Sequence, residues 1–127
     1  MLLDTQIFLA LLWEEVDQLS PALRSMILSP PTALFISVAS LWEIAIKFRL
    51  GKLVLKMPLN ALPELAQDIG FTVLRIEPTH VLAPVNPMPD TRDPFDRLLL
   101  AQCAVEGLRL VTIDRVLRDH PLAWRPD

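Results

Sequence analysis

The sequence predicts an α/β fold, built on a parallel sheet covered on both faces. Three observations carry this. Short apolar runs alternate with helix-like stretches in the order strand-helix-strand-helix-strand-helix-strand, the pattern of crossover connections between parallel strands. Apolar residues make up 52% of the chain and aromatics only 6%, so the core is aliphatic. At 127 residues, the chain has the size of one ordinary domain, taken as residues 1–127.

Each element has its own local reason. Leu2-Leu3 is a very short first strand, and Thr5 to Glu14 continues as a helix. Ser20-Pro21 is an N-cap with proline in the first turn, opening a helix to about Leu28. Pro30-Pro31 forces a loop, and Ala33 to Ser37 is a short apolar strand. The next helix carries Leu41, Ile44, Ala45 and Phe48 on one face and stops at Gly51. Leu53 to Met57 is a basic, apolar connector. Leu59 to Ile69 is predicted helical, ending at Gly70, and Phe71 to Ile76 a strand. Pro78 opens a helix that stops before Pro87. Asp93-Pro94 opens the strongest helix, running to Glu106 and stopped by Gly107. Leu108 to Thr112 is the last strand, and Arg115 to Asp119 a short helical turn.

Composition excludes several classes. The formal net charge is -3, so bulk positive charge does not draw this chain to nucleic acid. Local contacts remain open to Lys47, Arg49, Lys52, Lys56, Arg92 and Arg97. A single cysteine, Cys103, rules out an internal disulfide and reads as a small buried hydrophobe. The opening residues lack a basic n-region and a long h-region, and the longest uncharged stretch is broken by Pro30-Pro31. A soluble, cytoplasmic protein with no membrane span is expected. His80 and His120 stand alone in sequence and read as surface or boundary residues rather than zinc ligands.

Five carboxylates, Asp4, Glu43, Asp93, Asp96 and Asp114, fall where an apolar run gives way to a helix-like run. In an open parallel sheet the strand ends converge on one edge, where ligands bind. Like charges gathered there repel, so a cation is expected to hold them. Capping explains each acid singly: Asp is among the best N-caps, and Ser40-Leu41-Trp42-Glu43 matches a capping box. A helix start at Ser37 instead leaves Glu43 on the second turn, free to face a ligand. Ser or Asn would cap equally well, so joint occurrence favours a Mg²⁺ or Mn²⁺ enzyme acting on phosphate esters. No glycine-rich phosphate loop and no G-x-S-x-G elbow is present. A receiver domain wants two adjacent acids after its first strand, and a haloacid-type phosphatase wants D-x-D, where this chain has Gln6.

Five blocks together resemble the PIN-domain ribonucleases of the VapC toxin type: Met1-Leu2-Leu3-Asp4-Thr5, Val38 to Lys47 (VASLWEIAIK), Arg49 to Leu53 (RLGKL), Arg92 to Leu99 (RDPFDRLL) and Leu110 to Asp114 (LVTID). The resemblance runs in order over nearly the whole chain. It implies a PIN-like three-layer α/β/α sandwich with a short, mostly parallel sheet. It implies a metal-dependent endoribonuclease, the toxin of a toxin–antitoxin pair, with a VapB-type antitoxin and a homodimer. Asp4, Glu43, Asp96 and Asp114 would be the catalytic and metal-site acids, Glu43 directly or through water, and Asp93 an accessory acid or cap. Lys47 and Arg97 are candidates to hold substrate phosphate. Two positions depart from the family pattern, Gln6 in place of a frequent His and Ile113 in place of Arg or Asn. The expected chemistry is hydrolysis of an RNA phosphodiester by metal-activated water, leaving a 5′-phosphate. The alternative is a catalytically weak PIN-like module that only binds protein. Phe8, Leu11, Leu12 and Trp13, with Trp42 and Phe48, read mainly as core, with part of this apolar excess meeting another chain.

Overall fold

A computed structural model describes residues 1–126. The strands are β1 (Leu2–Leu3), β2 (Phe35–Ser37), β3 (Thr72–Leu74) and β4 (Leu110–Val111). They form one four-stranded sheet in the order β3-β2-β1-β4, and every pairing is parallel. The helices are α1 (Thr5–Leu12), α2 (Pro21–Leu28), α3 (Val38–Arg49), α4 (Leu62–Asp68), α5 (Pro78–Leu82) and α6 (Pro94–Glu106). The α/β fold and the parallel sheet match the sequence expectation.

Side-chain alternation along each strand divides the interior into two layers. Leu3 pairs with Ile36 and Val111, and these pack with α1, α2 and α4 side chains such as Phe8, Met26 and Leu62. Leu2 pairs with Phe35 and Leu110, and these pack against Leu99, Leu100 and Cys103 of α6. α3 serves both layers, Ile44 entering the first and Ala39 the second. Leu2 and Leu3 are both fully buried, and each contributes about 1.5–3 kcal/mol of transfer free energy.

The capping residues act as the sequence suggested. Ser20 Oγ accepts from Leu23 N, and Asp93 Oδ1 accepts from Phe95 N at 2.8 Å. Ser37 caps α3 through Ala39 N at 3.0 Å, so the helix starts before Ser40 and no capping box forms there. Ser40 Oγ instead accepts from Thr5 Oγ1, which ties α1 to α3.

Several boundaries differ from the reading of the sequence. α1 ends at Leu12 because the chain turns through Glu14 at a φ of +57°. The Leu59 to Ile69 segment splits into a 3-10 turn, Leu59–Ala61, and α4. The strands are shorter than their apolar runs, since only the paired residues remain extended. Residues 115–119 form successive turns rather than a helix, and the tail returns to bridge Ala123 to Leu110. Both histidines are buried, which corrects their surface reading. Each accepts a backbone N–H at Nδ1, from Glu77 or from Leu122. The opposite nitrogens meet Glu106 Oε1 and Pro87 O, so both rings serve as internal struts. Trp42 and Phe48 are exposed at 59% and 40%, which corrects the core reading for this pair. Among the described residues no helix is long and apolar enough to cross a membrane.

Gly107 ends α6 in the left-handed region at a φ of +67°, and a Cβ there would meet open space. Gly107→Ala therefore brings no clash with a neighbour, only the strain of a side chain on left-handed backbone. It is expected to lower unfolding free energy by about 1 kcal/mol in urea denaturation, with the m-value unchanged.

Candidate active site

The strand order places a switch point beside β1. The chain leaves β1 toward β2 on one side, and β4 closes on the other. Crevices beyond the carboxyl ends of such strands are where open α/β sheets bind ligands. Asp4 follows β1 directly, and Asp114 follows β4 after two residues.

Asp4 is 5% exposed and its carboxylate is fully engaged. Oδ1 accepts from Thr5 N and Oδ2 from Thr112 Oγ1, both at 2.7 Å. The Thr112 hydroxyl also accepts from Asp114 N at 3.0 Å, so one side chain positions both strand-end acids. Asp114 Oδ1 in turn accepts from Val116 N. Burial raises the Asp4 pKa against the help of those two hydrogen bonds, and the charges of Glu43 and Asp114 push the same way.

The other acids arrive on helices. Glu43 lies on the second turn of α3, as the alternative helix start at Ser37 has it, which corrects the strand-exit reading. Its carboxylate pairs with Lys47 one turn on at 3.0 Å. Asp93 and Asp96 also follow a loop rather than a strand. Asp96, in the first turn of α6, accepts from Thr91 Oγ1 at 3.1 Å. Thr91 is a second positioning residue: its hydroxyl accepts from Asp93 N, and its carbonyl accepts from Arg97 Nε. Burial, followed by the charges of Asp93, Asp4 and Asp114, pushes the Asp96 pKa up to about 7.

These carboxylates thus share one electrostatic neighbourhood, although they come from four parts of the chain. Each is turned to its own donor. Among the described residues no three His, Cys, Asp or Glu side chains close around one point at ligating range. The donor set is nevertheless that of a hard divalent cation, oxygen throughout, with no competing nitrogen or sulfur. Glu43 would leave Lys47 to reach such an ion, while Asp4 and Asp96 keep acceptor lone pairs beyond those their threonine partners use. Lys47 is occupied by Glu43, and Arg97 is held on Thr91 and lines a separate apolar cavity against α5 and Pro89. Neither cation the sequence nominated for phosphate stands unengaged at the acids. The positioning threonines, Thr91 and Thr112, carry no local sequence signal.

The PIN domain family model matches residues 1–121. The chain belongs to the PIN domain family. PIN domains are in general metal-dependent nucleases. No curated protein and no solved structure matches this PIN domain.

The Asp96 shift has a defined sign. The folded protein binds this proton more tightly than an unfolded chain, whose carboxyl titrates near 3.8. The resulting stability is full below that value and is lost as pH rises through about 7. Thermal denaturation in chelator is expected to show this fall between about pH 4 and 7, and Asp96→Asn to flatten it.

Proposed function

We propose that this PIN domain is a Mg²⁺- or Mn²⁺-dependent endoribonuclease and the toxin of a toxin–antitoxin pair, acting in the cytoplasm as a single domain. The observation that carries this reading is the gathering of Asp4, Asp96, Asp114 and Glu43 at the sheet's switch point. Burial there, reinforced by their mutual repulsion, raises the pKa of Asp4 and of Asp96.

In this reading Asp4, Asp96 and Asp114 hold the cation, with Glu43 directly or through water and Asp93 as accessory. The ion supplies an acidified water and positive charge against the phosphoryl oxygen. Thr112 and Thr91 keep the carboxylates oriented, as outer-shell groups do at metal centres. Burial of Asp4 keeps bulk water from screening the site. Lys47 can exchange Glu43 for a substrate phosphate once Glu43 turns to the ion, and Arg97 stands one residue from Asp96. RNA is the substrate, and the product keeps its 5′-phosphate.

Exposed apolar side chains on and after α3, namely Trp42, Leu50 and Val54, support a partner chain. We assign this role to a VapB-type antitoxin segment and a homodimer. The Glu43–Lys47 ion pair and the unclosed acid group favour a second reading, a PIN-like module that binds protein without cutting RNA.

Cleavage of a mixed RNA pool separates the two readings. Asp4→Asn or Asp96→Asn is expected to reduce cleavage by more than the roughly 10–100-fold typical of outer-shell substitutions, and Thr112→Val by an amount within that range. Full activity in excess chelator would exclude the metal. For the toxin assignment, expression of the chain is expected to arrest growth, and co-expression of the adjoining small reading frame to relieve it.

A further inference from the structure

One cavity adjoins the acids and carries positive charge. It lies between the start of α2 and the C-terminal segment, with a volume of about 570 Å³, ample for one nucleotide. Gln18, Thr112, Arg118, Asp119, Trp124 and Arg125 are among the residues that line it. We propose that this cleft seats a nucleotide of a single-stranded RNA beside the acidic site. The inference deepens the nuclease reading and rests on it.

Position is the first reason. Thr112 belongs to both places: it lines the cleft, and its hydroxyl donates to Asp4 Oδ2. A nucleotide seated in the cleft therefore lies one residue, Thr112, from Asp4. Charge is the second. Two guanidinium groups against the one carboxylate of Asp119 leave a single positive charge, which suits one phosphodiester. Among the described residues none of these three side chains is in an ion pair. Arg125 Nη2 donates to the Asp119 carbonyl at 2.7 Å, which fixes its guanidinium at the rim. Arg118 lies four residues beyond Asp114 across a turn, and its backbone N–H donates to the Asp114 carbonyl. In a chain of net charge -3, a positive spot bordering clustered acids is where a polyanion can approach them. Shape is the third. Trp124, half-buried against the first core layer, lines the cleft, and unpaired bases stack on such rings regardless of sequence. Duplex RNA keeps its bases stacked inside and gains nothing from that ring.

The test measures binding of a labelled single-stranded oligoadenylate by fluorescence anisotropy, in an Asp96→Asn background that leaves the probe uncut. Arg118→Gln with Arg125→Gln is expected to weaken binding about tenfold at low salt. It should also reduce the slope of log K against log salt by about 0.7 for each phosphate that the variant no longer neutralises. Arg118→Lys with Arg125→Lys should restore most of the slope, since lysine returns the charge. Unchanged affinity and slope in a double glutamine variant with native circular dichroism would overturn the proposal. If that variant does not fold, a salt-independent affinity in the Asp96→Asn protein overturns it equally. Should the native chain cut RNA while the double variant keeps its KM, the cleft falls and the nuclease reading stands. Should the arginines govern binding while no divalent cation elicits cleavage, the cleft stands and the nuclease reading falls.

Discussion

The hydrogen bond from Thr112 to Asp4 spans 108 residues of sequence and binds the first strand to the last. It sits where β1 and its neighbour β4 deliver their chains to the carboxyl edge of the sheet. A carboxylate there is costly, because it is nearly buried and stands close to other negative charge. The hydroxyl offsets part of that cost and sets which way the acid points. Everything at the site follows from the need to keep a charge in that position. The β1–β4 pairing supplies Thr112, and the Thr5–Ser40 bond brings α3 against α1. α6 then adds Asp96 beside a charge already in place.

The core explains why that position can be held. Strands of two or three residues make few ladder hydrogen bonds, so the sheet alone is weak. Its central leucines compensate by facing two separate apolar layers. One layer carries α1, α2 and α4, and the other α6. A helix terminus anchored this way moves little. The acids at the starts of α1 and α6 therefore depend on burial tens of residues away in sequence. The same reasoning accounts for the histidines, which brace a short helix and the returning tail.

Much of this was legible in the chain, for local reasons. Ser20-Pro21, Asp93-Pro94 and Gly107 mark helix ends through chemistry confined to a few residues, and the structure uses all three as caps or stops. The alternation of strands and helices announced the parallel sheet. Strand ends were less legible, because pairing decides them: Leu108 and Thr112 belong to the same apolar run as β4 yet lie outside it. Among the acids, Asp4 and Asp114 were readable at strand ends. Glu43 was readable only as a choice between two helix starts, which Ser37 decides. Thr91 and Thr112 were not readable, since their importance lies in contacts made after folding. The same holds for the Lys47 ion pair, because the identity of a basic residue does not say which acid it will meet.

Cys103 lies wholly within the layer under α6, and burial pushes its thiol up to about 12. The thiolate is the form that oxidants and electrophiles attack. No other sulfhydryl exists in the sequence, so the folded surface offers nothing for disulfide exchange. In the folded chain, thiol oxidation and disulfide exchange therefore wait on unfolding, and the exposed Met88 is the sulfur that oxidants reach first.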